Sequence, residues 1–442
     1  MYDPLKSRFT PAFHEFGTDS YWQAVTPFPD TNACALPKTA EVVVIGAGYT
    51  GLNAAIEIAE QQQREVLLID AGGIGAGASS RNAGFLLPGT GRLGYADYHA
   101  RFGETVANAV QNEFAESIAH VQNMAADSEW PCELLQGRYL RLAHNAKAAK
   151  LLASQQPGYA NTLLQAQWLS SAQQHEQLPG ICWKHGGLAL SPAAAINPRA
   201  LVATYLTRAQ KAGVKIATGH PVTHWQRQNG KHLLTAGEQT VTCEQVLVCG
   251  NGYLAKQPFA DLSARQFPVL SSIIVSRPLN VSEQQYVGLQ VNDLVMDTRL
   301  LKYYYRLLPD GRILFGGRGA VTGKNASSER EKQRLLAAMQ NTFPTLTDLH
   351  ADYFWSGWIS VALDAMPRVY SPAAGVFTSA GYCGAGVAFA SLAGKRLAEL
   401  SAGKALPELP FYQSELPKYP FAPARRLALR ALYRWQRLGK AK

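Results

Sequence analysis

The stretch VVVIGAGYTGLNAAIEIAE, residues 42–60, decides the fold of this chain. Its three glycines, Gly46, Gly48 and Gly51, have the spacing G-x-G-x-x-G. In a turn between a strand and a helix, the first glycine permits the tight bend and the second lets a pyrophosphate approach the backbone. The third lets the helix pack closely on the strand. The helix N-terminus then presents free N–H groups to the phosphate charge, so the stretch predicts a nucleotide-binding turn.

The sequence on either side of this turn supplies the elements that such a site requires. Residues 41–45 form a β-branched run typical of a buried parallel strand, and apolar residues at helical spacing predict a helix over 51–62. A second β-rich run at 65–69 ends at Asp70, nineteen residues after Gly51. An acid at this distance accepts hydrogen bonds from ribose hydroxyls. The pattern predicts a βαβ unit that binds a dinucleotide, with a purely structural turn as the alternative.

A second glycine-rich loop distinguishes between dinucleotides. GGIGAGASSRNAGFL, residues 72–86, follows the second predicted strand directly. Nicotinamide enzymes rarely need such a loop there, whereas a flavin dinucleotide bound in extended form needs a second cradle further along its length. The loop therefore favours FAD, and an NAD(P)-linked dehydrogenase is the alternative.

Several motifs resemble those of the glycine oxidase and D-amino-acid oxidase superfamily of FAD-dependent amine oxidoreductases. They are the glycine turn, the loop at 78–84, VLVCGNGY at 246–253 and GYCGAGVAFASLAG at 381–394. The resemblance runs from about residue 20 to the C-terminus. Within the superfamily, YYRLLPDGRILFGG at 304–317 and WSGWISVALDAMP at 355–367 are most similar to gamma-glutamylputrescine oxidases and L-pipecolate oxidases.

The resemblance implies an α/β fold, with a FAD-binding Rossmann-like domain of the glutathione-reductase type and an inserted antiparallel β-rich substrate domain. It implies non-covalent FAD, because the segment at 362–367, where some relatives attach flavin, has no cysteine nearby. Relatives often carry a larger polar residue where this chain has Ala385, so no acid–base role is assigned there. The cofactor contacts that the resemblance implies are Gly46, Gly48, Gly51, Asp70, Ala71, Ser79, Arg81, Asn82, Gly84, Val222, Gly250, Gly381, Gly384, Gly386 and Val387.

The order of predicted strands and helices along the chain predicts that its domains are discontinuous. LPDGR at 308–312, for example, predicts a hairpin through Asp310-Gly311 inside a region of alternating β segments. The predicted units are an N-terminal arm at 1–38, a FAD-binding domain at 39–110, 190–255 and 350–415, a substrate domain at 111–189 and 256–349, and a basic C-terminal helix at 416–442.

The substrate side is predicted from the chemistry of amine oxidation. A hydride passes from the carbon next to nitrogen to flavin N5, which requires a neutral amine, and an apolar aromatic cavity favours that form. Since strand residues alternate, either Tyr303 and Tyr305 or Tyr304 and Arg306 face such a cavity. Arg306 either binds a substrate carboxylate through two parallel hydrogen bonds or is a surface residue beside the hairpin turn. The candidate substrate-pocket residues are Tyr304, Arg306 and Trp358, with Trp355 as a further aromatic wall.

Together these features predict a FAD-dependent oxidoreductase that converts a small-molecule amine or amino acid to an imine, which water hydrolyses. The electron acceptor is O₂ or a respiratory carrier. Lys302 either assists oxygen activation or is a solvated lysine. The alternatives are a membrane-associated FAD amino-acid dehydrogenase that passes electrons to quinone, and a non-catalytic flavoprotein accessory subunit.

Charge is concentrated at the C-terminus. Eight of the basic residues and no acid lie between 418 and 442, against a formal net charge of +10 for the whole chain. The rest is nearly balanced, so nucleic acid is not an expected partner. RRLALRALYRWQRLGKAK at 425–442 predicts an amphipathic basic helix, which either lies on an anionic membrane or docks on the protein.

The cysteines and histidines exclude other classes. Six irregularly spaced cysteines and a first forty residues without a signal-like apolar run predict a reduced, cytoplasmic protein, at the inner face of the membrane if the C-terminal helix binds lipid. The ten histidines show no metal-ligand spacing, and no metal is expected.

Overall fold

The computed structural model describes residues 1–12, 20–90, 92–126 and 128–438, the side chains of 437 and 438 apart. Parts of the predicted arm and of the predicted C-terminal helix lie outside the described residues. The strands are β1 Val42–Ile45, β2 Val66–Ile69, β3 Phe85–Leu86, β4 Leu135–Leu142, β5 Gln165–Leu169, β6 Gly187–Ala195, β7 Lys215–Ala217, β8 Val222–Gln228, β9 Lys231–Ala236, β10 Gln239–Cys243, β11 Gln245–Val248, β12 Phe267–Pro278, β13 Asp293–Asp297, β14 Tyr304–Leu307, β15 Arg312–Arg318, β16 Ala351–Val361, β17 Arg368–Ala373 and β18 Val376–Ala380. The helices are α1 Tyr21–Val25, α2 Tyr49–Gln62, α3 Tyr95–Phe102, α4 Glu104–Ala126, α5 Ala146–Ala153, α6 Ser171–Gln177, α7 Pro198–Lys211, α8 Ala260–Ala264, α9 Val281–Val287, α10 Glu329–Thr342, α11 Val387–Ser401 and α12 Arg425–Leu438.

The first sheet carries the predicted βαβ unit. Its strand order is β17-β18-β11-β1-β2-β7. Strand β1 pairs in parallel with β2 and with β11, whereas β17 is an antiparallel edge strand. All four residues of β1 are buried, as expected for a strand covered on both faces. Helix α2 connects β1 to β2 and packs against α7 and α11, so the unit predicted from the glycine turn is confirmed.

The second sheet is larger and mostly antiparallel. Its order is β16-β12-β15-β14-β13-β4-β6-β3, with β5 paired to β6. Within this sheet, β4 and β13 are the only described strands that pair in parallel. Strands β14 and β15 form the predicted hairpin, in which Gly311 has a φ of +79°. A third sheet, β10-β9-β8, is an antiparallel meander. The predicted fold class, a Rossmann-like domain with an inserted β-rich domain, is confirmed.

In sheet membership, three strands depart from the predicted domain ranges. β6 extends across the boundary drawn at residue 190. β3 joins the second sheet although residues 39–110 were assigned to the FAD-binding domain, and β16 joins it although residues 350–415 were. The reason is that β16 pairs with β12 over nearly its whole length, from Phe267 opposite Val361 to Ser276 opposite Ala351. Backbone pairing, rather than the pattern of side chains in the sequence, decides which sheet β16 joins. The domain limits themselves remain predictions.

Three features of the described residues bear on the expected class. The six cysteines, all within the described ranges, are free thiols. Among the described side chains, no cluster of three His, Cys, Asp or Glu residues has the arrangement of a metal site. No helix in the described part of the chain is both long enough and apolar enough to span a bilayer.

His120 makes stability depend on pH. Its Nε2 lies 2.8 Å from Asn53 Oδ1, across the contact between α4 and α2. Burial, reinforced by the positive charges of Lys395, Arg208 and Arg396, lowers the pKa of His120 from 6.5 to about 4. The unfolded chain therefore takes up this proton at higher pH than the folded chain, and the associated stability is lost as the pH falls from 6.5 to 4.

The variant His120→Gln is expected to flatten this dependence, because glutamine keeps a donor toward Asn53 and takes up no proton. Between pH 7 and pH 5, the wild type is expected to lose about 2 kcal/mol more unfolding free energy than the variant. Urea denaturation at both pH values measures the difference. His175→Gln, at an exposed position on α6, is the matched control and should keep the wild-type slope. An unchanged slope in His120→Gln would contradict the assignment.

Candidate cofactor and substrate site

A cleft of about 1180 Å³ lies at the carboxyl ends of β1, β2 and β11, the position where open α/β sheets bind ligands. Gly46 lines it with a φ of +107°, and a Cβ on this residue would lie 2.8 Å from the carbonyl oxygen of Cys249. Gly48 precedes the first turn of α2 and also lines the cleft. The backbone is therefore bare where the sequence predicts contact with a pyrophosphate.

Gly51 has a different role from the other two glycines. It lies within α2, and a Cβ there would lie 1.8 Å from the carbonyl oxygen of Gly46. Only a glycine lets the helix approach the turn this closely. The arrangement agrees with the predicted packing role of the third glycine.

Asp70 lies at the end of β2 and holds the turn. Its Oδ2 accepts a hydrogen bond from the N–H of Ala47 at 2.6 Å, and its Oδ1 accepts one from Gly72 at 2.7 Å. Burial raises the pKa of this carboxyl, and the two backbone N–H groups oppose that shift. Asp70 also lines the cleft, where its carboxylate can accept a hydrogen bond from a ribose hydroxyl, as the sequence predicts.

The structure brings together most of the other predicted cofactor residues. Ser79 accepts a hydrogen bond from the N–H of Tyr49, at 3.0 Å, in the first turn of α2. Asn82 donates to the carbonyl oxygen of Ser79 at 2.8 Å and accepts from the N–H of Gly84, also at 2.8 Å. The predicted residues that line the cleft are Gly46, Gly48, Asp70, Ala71, Ser79, Asn82, Val222, Gly250, Gly384, Gly386 and Val387.

Three further predicted residues shape the site without lining the cleft. Gly84 has a φ of +69°, and a Cβ there would lie 1.9 Å from the carbonyl oxygen of Ile196. Gly381, with a φ of +89°, turns the chain after β18. Arg81 is buried and lines a second cavity, described next.

A second cavity of about 620 Å³ adjoins the cleft and shares five lining residues with it, among them Gly384 and Val387. The predicted residue Tyr304 lies in its wall, and the Tyr304 hydroxyl is 2.9 Å from Ser271 Oγ. Trp355 also lines it, and its indole donates to the carbonyl oxygen of Arg81 at 2.7 Å. The remaining apolar walls are Ala83, Phe85, Leu87, Ile273, Met296, Ile359 and Ala385.

Two predicted substrate residues lie elsewhere. Arg306 is buried, and its guanidinium donates to the carbonyl oxygens of Ile196 at 3.1 Å and of Gly84 at 3.4 Å. It therefore holds backbone rather than a substrate carboxylate, and it is not the surface arginine of the alternative. Trp358 lies on the opposite face of β16 from Trp355, because strand residues alternate, and its indole donates to the carbonyl oxygen of Tyr2 at 2.9 Å.

Sequence reasoning missed several residues of the cleft. Thr10, from the N-terminal arm, lines it, and no periodicity in that arm signals the contact. His220 also lines it, two residues before Val222, which the family motif did mark. Tyr253, Cys249 and Phe259 line it too, and the first two lie within the recognised VLVCGNGY motif.

The residues of the cleft fit FAD. A bare glycine turn, a carboxylate at the end of β2 and residues of β8 line one continuous cleft. Helix α11 begins at Val387 after the N-cap Gly386, so its free N–H groups and positive dipole end face the same cleft. The adjoining apolar cavity lies beyond this helix end. A dinucleotide cleft joined to an apolar cavity is the arrangement expected of a flavin-dependent oxidoreductase.

Comparison with known proteins identifies the family. Residues 41–400 match the model of the FAD dependent oxidoreductase family, DAO, and the chain belongs to that family. FAD is its cofactor, and the protein is a FAD-dependent oxidoreductase.

Individual relatives cover most of the chain. It is 29% identical over 420 residues to gamma-glutamylputrescine oxidoreductase of Escherichia coli, covering 93% of this chain and 94% of that protein. It is 28% identical over 392 residues to the probable oxidoreductase OrdL of Rhizobium meliloti, covering 87% and 88%. The structure of glycine oxidase from Geobacillus kaustophilus has the same fold, with a TM-score of 0.72 at 19% identity, covering 86% of this chain and 100% of that one.

Proposed function

We propose that this protein oxidises a carbon–nitrogen bond of a small amine or amino acid whose reacting end is bound in the neutral form. The observation that carries the proposal is the second cavity, whose walls are largely apolar and which adjoins the cofactor cleft at Gly384 and Val387. The name of the relative gamma-glutamylputrescine oxidoreductase supports an amine as the substrate.

The chain's own residues favour a neutral amine. Phe85, Leu87, Ile273 and Trp355 surround the reacting end with apolar surface, which disfavours an ammonium ion. Arg81 is the one charged side chain among the described residues that line this cavity, and its positive charge acts in the same direction. A neutral nitrogen keeps its lone pair available as the neighbouring carbon is oxidised.

The cofactor and the helix next to it supply the rest. When bound, FAD supplies the acceptor for a hydride from the carbon next to nitrogen. The N-terminus of α11 provides N–H groups and a positive dipole end at the junction of the two cavities. These groups stabilise negative charge that develops there. The apolar walls of the second cavity exclude water from the reacting carbon.

Anaerobic mixing of the FAD-loaded protein with a panel of amines tests this proposal. The panel contains gamma-glutamylputrescine, putrescine, pipecolate, sarcosine and glycine, and loss of the visible flavin band is followed for each. At least one amine is expected to bleach the band, and peroxide on readmission of air indicates an oxidase rather than a dehydrogenase. If dithionite bleaches the band and none of the amines does, the proposal fails. That result supports the alternative of a non-catalytic flavoprotein accessory subunit.

A second candidate, transfer of electrons to a membrane carrier, rests on the outer surface of α12. Leu429 and Tyr433 dock this helix on the protein, against Val269. Leu427 and Trp435 are 65% and 66% exposed. An amphipathic surface of this kind suits the interface of an anionic membrane.

One arginine of this helix does not belong to its exposed surface. Arg426 pairs with Asp3 and lies over the Trp358 ring at 5.7 Å. The exposed basic side chains that remain beside Leu427 and Trp435 in the described part of α12 are Arg430 and Arg434.

We propose that this exposed surface binds anionic lipid. Flotation with vesicles of phosphatidylserine and phosphatidylcholine is expected to carry the wild type upward, and the double variant Leu427→Ser/Trp435→Ser is expected to remain at the bottom. Vesicles of phosphatidylcholine alone are the control, because they lack the charge that attracts the arginines. Equal flotation of the two proteins, or none of the wild type, would contradict the membrane assignment.

A further inference from the structure

A third cavity, of about 440 Å³, adjoins the far side of the substrate cavity. Leu87 lines both. The two cavities also meet where the Tyr139 hydroxyl, in the wall of the third cavity, lies 3.4 Å from the sulfur of Met296, in the wall of the substrate cavity. A ligand in the substrate cavity can therefore extend toward the third cavity.

The polar groups of the third cavity are mainly hydrogen-bond donors. Arg92, Arg141 and Lys302 line it, and no described residue that lines it carries a carboxylate. Gln111 lines it as well and is 2% exposed, and its side-chain Nε2 has no hydrogen-bond partner among the residues that the structure describes. An unsatisfied buried donor is destabilising, and a ligand with acceptor oxygens would satisfy it.

The charges close to Lys302 are mostly positive. Burial, reinforced by the positive charges of Arg141, Arg92 and Arg318 and opposed by Asp297, lowers the pKa of Lys302 to about 8. Asp297 is engaged elsewhere, because its carboxylate accepts from the Nε of Arg299 at 2.9 Å. An anion between these cations would relieve their mutual repulsion.

We infer that the third cavity binds a carboxylate at the end of the substrate remote from the oxidised carbon–nitrogen bond, with Arg141, Lys302 and Gln111 as its donors. The inference rests on the proposed function and narrows it to amines that carry a distal acid group. Lys302 precedes Tyr304 by two residues, so their Cα atoms lie at most about 7 Å apart and one ligand can reach both cavities. The binding of a substrate carboxylate, which the sequence analysis considered for Arg306, is thus assigned to Arg141 on β4.

A matched pair of substrates tests this inference. N-succinylputrescine and N-acetylputrescine share the same free amine and differ in one terminal carboxylate. The wild type is expected to prefer the succinyl compound in kcat/KM by on the order of tenfold, which is the effect of one charge-assisted hydrogen bond. In Lys302→Met and in Arg141→Gln, this ratio is expected to fall toward one, mainly through a higher KM for the succinyl compound.

Two control variants separate recognition from general damage. Lys184→Met removes the same charge at an exposed position and should keep the wild-type ratio. Arg141→Lys keeps the charge and should retain more of the preference than Arg141→Gln.

Binding is also measured without turnover, by calorimetric titration of the FAD-loaded protein with glutarate. Glutarate is expected to bind the wild type and to bind Lys302→Met on the order of tenfold more weakly. If none of the panel amines and neither acyl putrescine bleaches the flavin but glutarate binds through Lys302, the proposed function fails and the carboxylate site stands. If glutarate does not bind, or if both amines react with equal kcat/KM, the carboxylate site is overturned.

Discussion

Replacing Gly51 with alanine is expected to yield a protein that no longer retains FAD. The new Cβ would lie 1.8 Å from the carbonyl oxygen of Gly46, so α2 must move away from the turn. The N–H groups at the start of α2 then no longer converge on the pyrophosphate. We expect FAD affinity to fall on the order of 100-fold, equivalent to about 2.8 kcal/mol, and the overpacked core to lose about 3 kcal/mol of stability.

Flavin content after purification and fluorescence titration of the apoprotein with FAD measure the first effect, and urea denaturation measures the second. The matched control is Gly103→Ala, since Gly103 has a φ of +83° and no atom within 4 Å of the added Cβ. This control is expected to keep its flavin and to lose about 1 to 3 kcal/mol, because Gly103, with a φ of 83° and a ψ of 173°, lies in a backbone region that is essentially restricted to glycine. A yellow Gly51→Ala protein with full flavin content would show that the helix does not need this close approach.

The cofactor side could be predicted from the sequence because its constraints are local. Gly46, Gly51 and Asp70 fall within one βαβ unit, and each is fixed by backbone geometry over a short span of chain. A residue without a side chain at a tight turn leaves a recognisable spacing in the sequence. The FAD preference followed in the same way from the second glycine-rich loop.

The substrate side could be predicted only in part, because it depends on which face of each strand meets which neighbour. Alternation offered two sets of residues at β14 and just before it, but it did not show that Arg306 would meet the carbonyl oxygens of Gly84 and Ile196. Nor did it show which tryptophan of β16 faces the cavity. The contribution of Thr10 to the cleft arises from an arm without periodicity, so the sequence carries no signal for it.

Replacing Arg396 with methionine is expected to lower the free energy of unfolding strongly. Arg396 is 8% exposed on α11, and it pairs with Glu113 at 2.9 Å, Glu116 at 3.0 Å and Glu399 at 3.0 Å. The pairs with Glu113 and Glu116 hold α11, whose N-terminus faces the cofactor cleft, against α4, whereas Glu399 lies on α11 itself. Methionine keeps much of the packing but leaves Glu113 buried without its cation, at a cost of about 4 kcal/mol.

The double variant Arg396→Met/Glu113→Gln separates the buried charge from the lost contact. Glutamine removes the uncompensated negative charge and keeps an acceptor for the Tyr412 hydroxyl, which now donates to Glu113 at 2.6 Å. We expect the double variant to recover about 2 kcal/mol of unfolding free energy relative to Arg396→Met in urea denaturation. Lys404→Met, at an exposed position after α11, should change stability by less than about 0.5 kcal/mol. If the double variant were no more stable than Arg396→Met, burial of an unpaired carboxylate could not be the cause, and the loss would lie in helix packing instead.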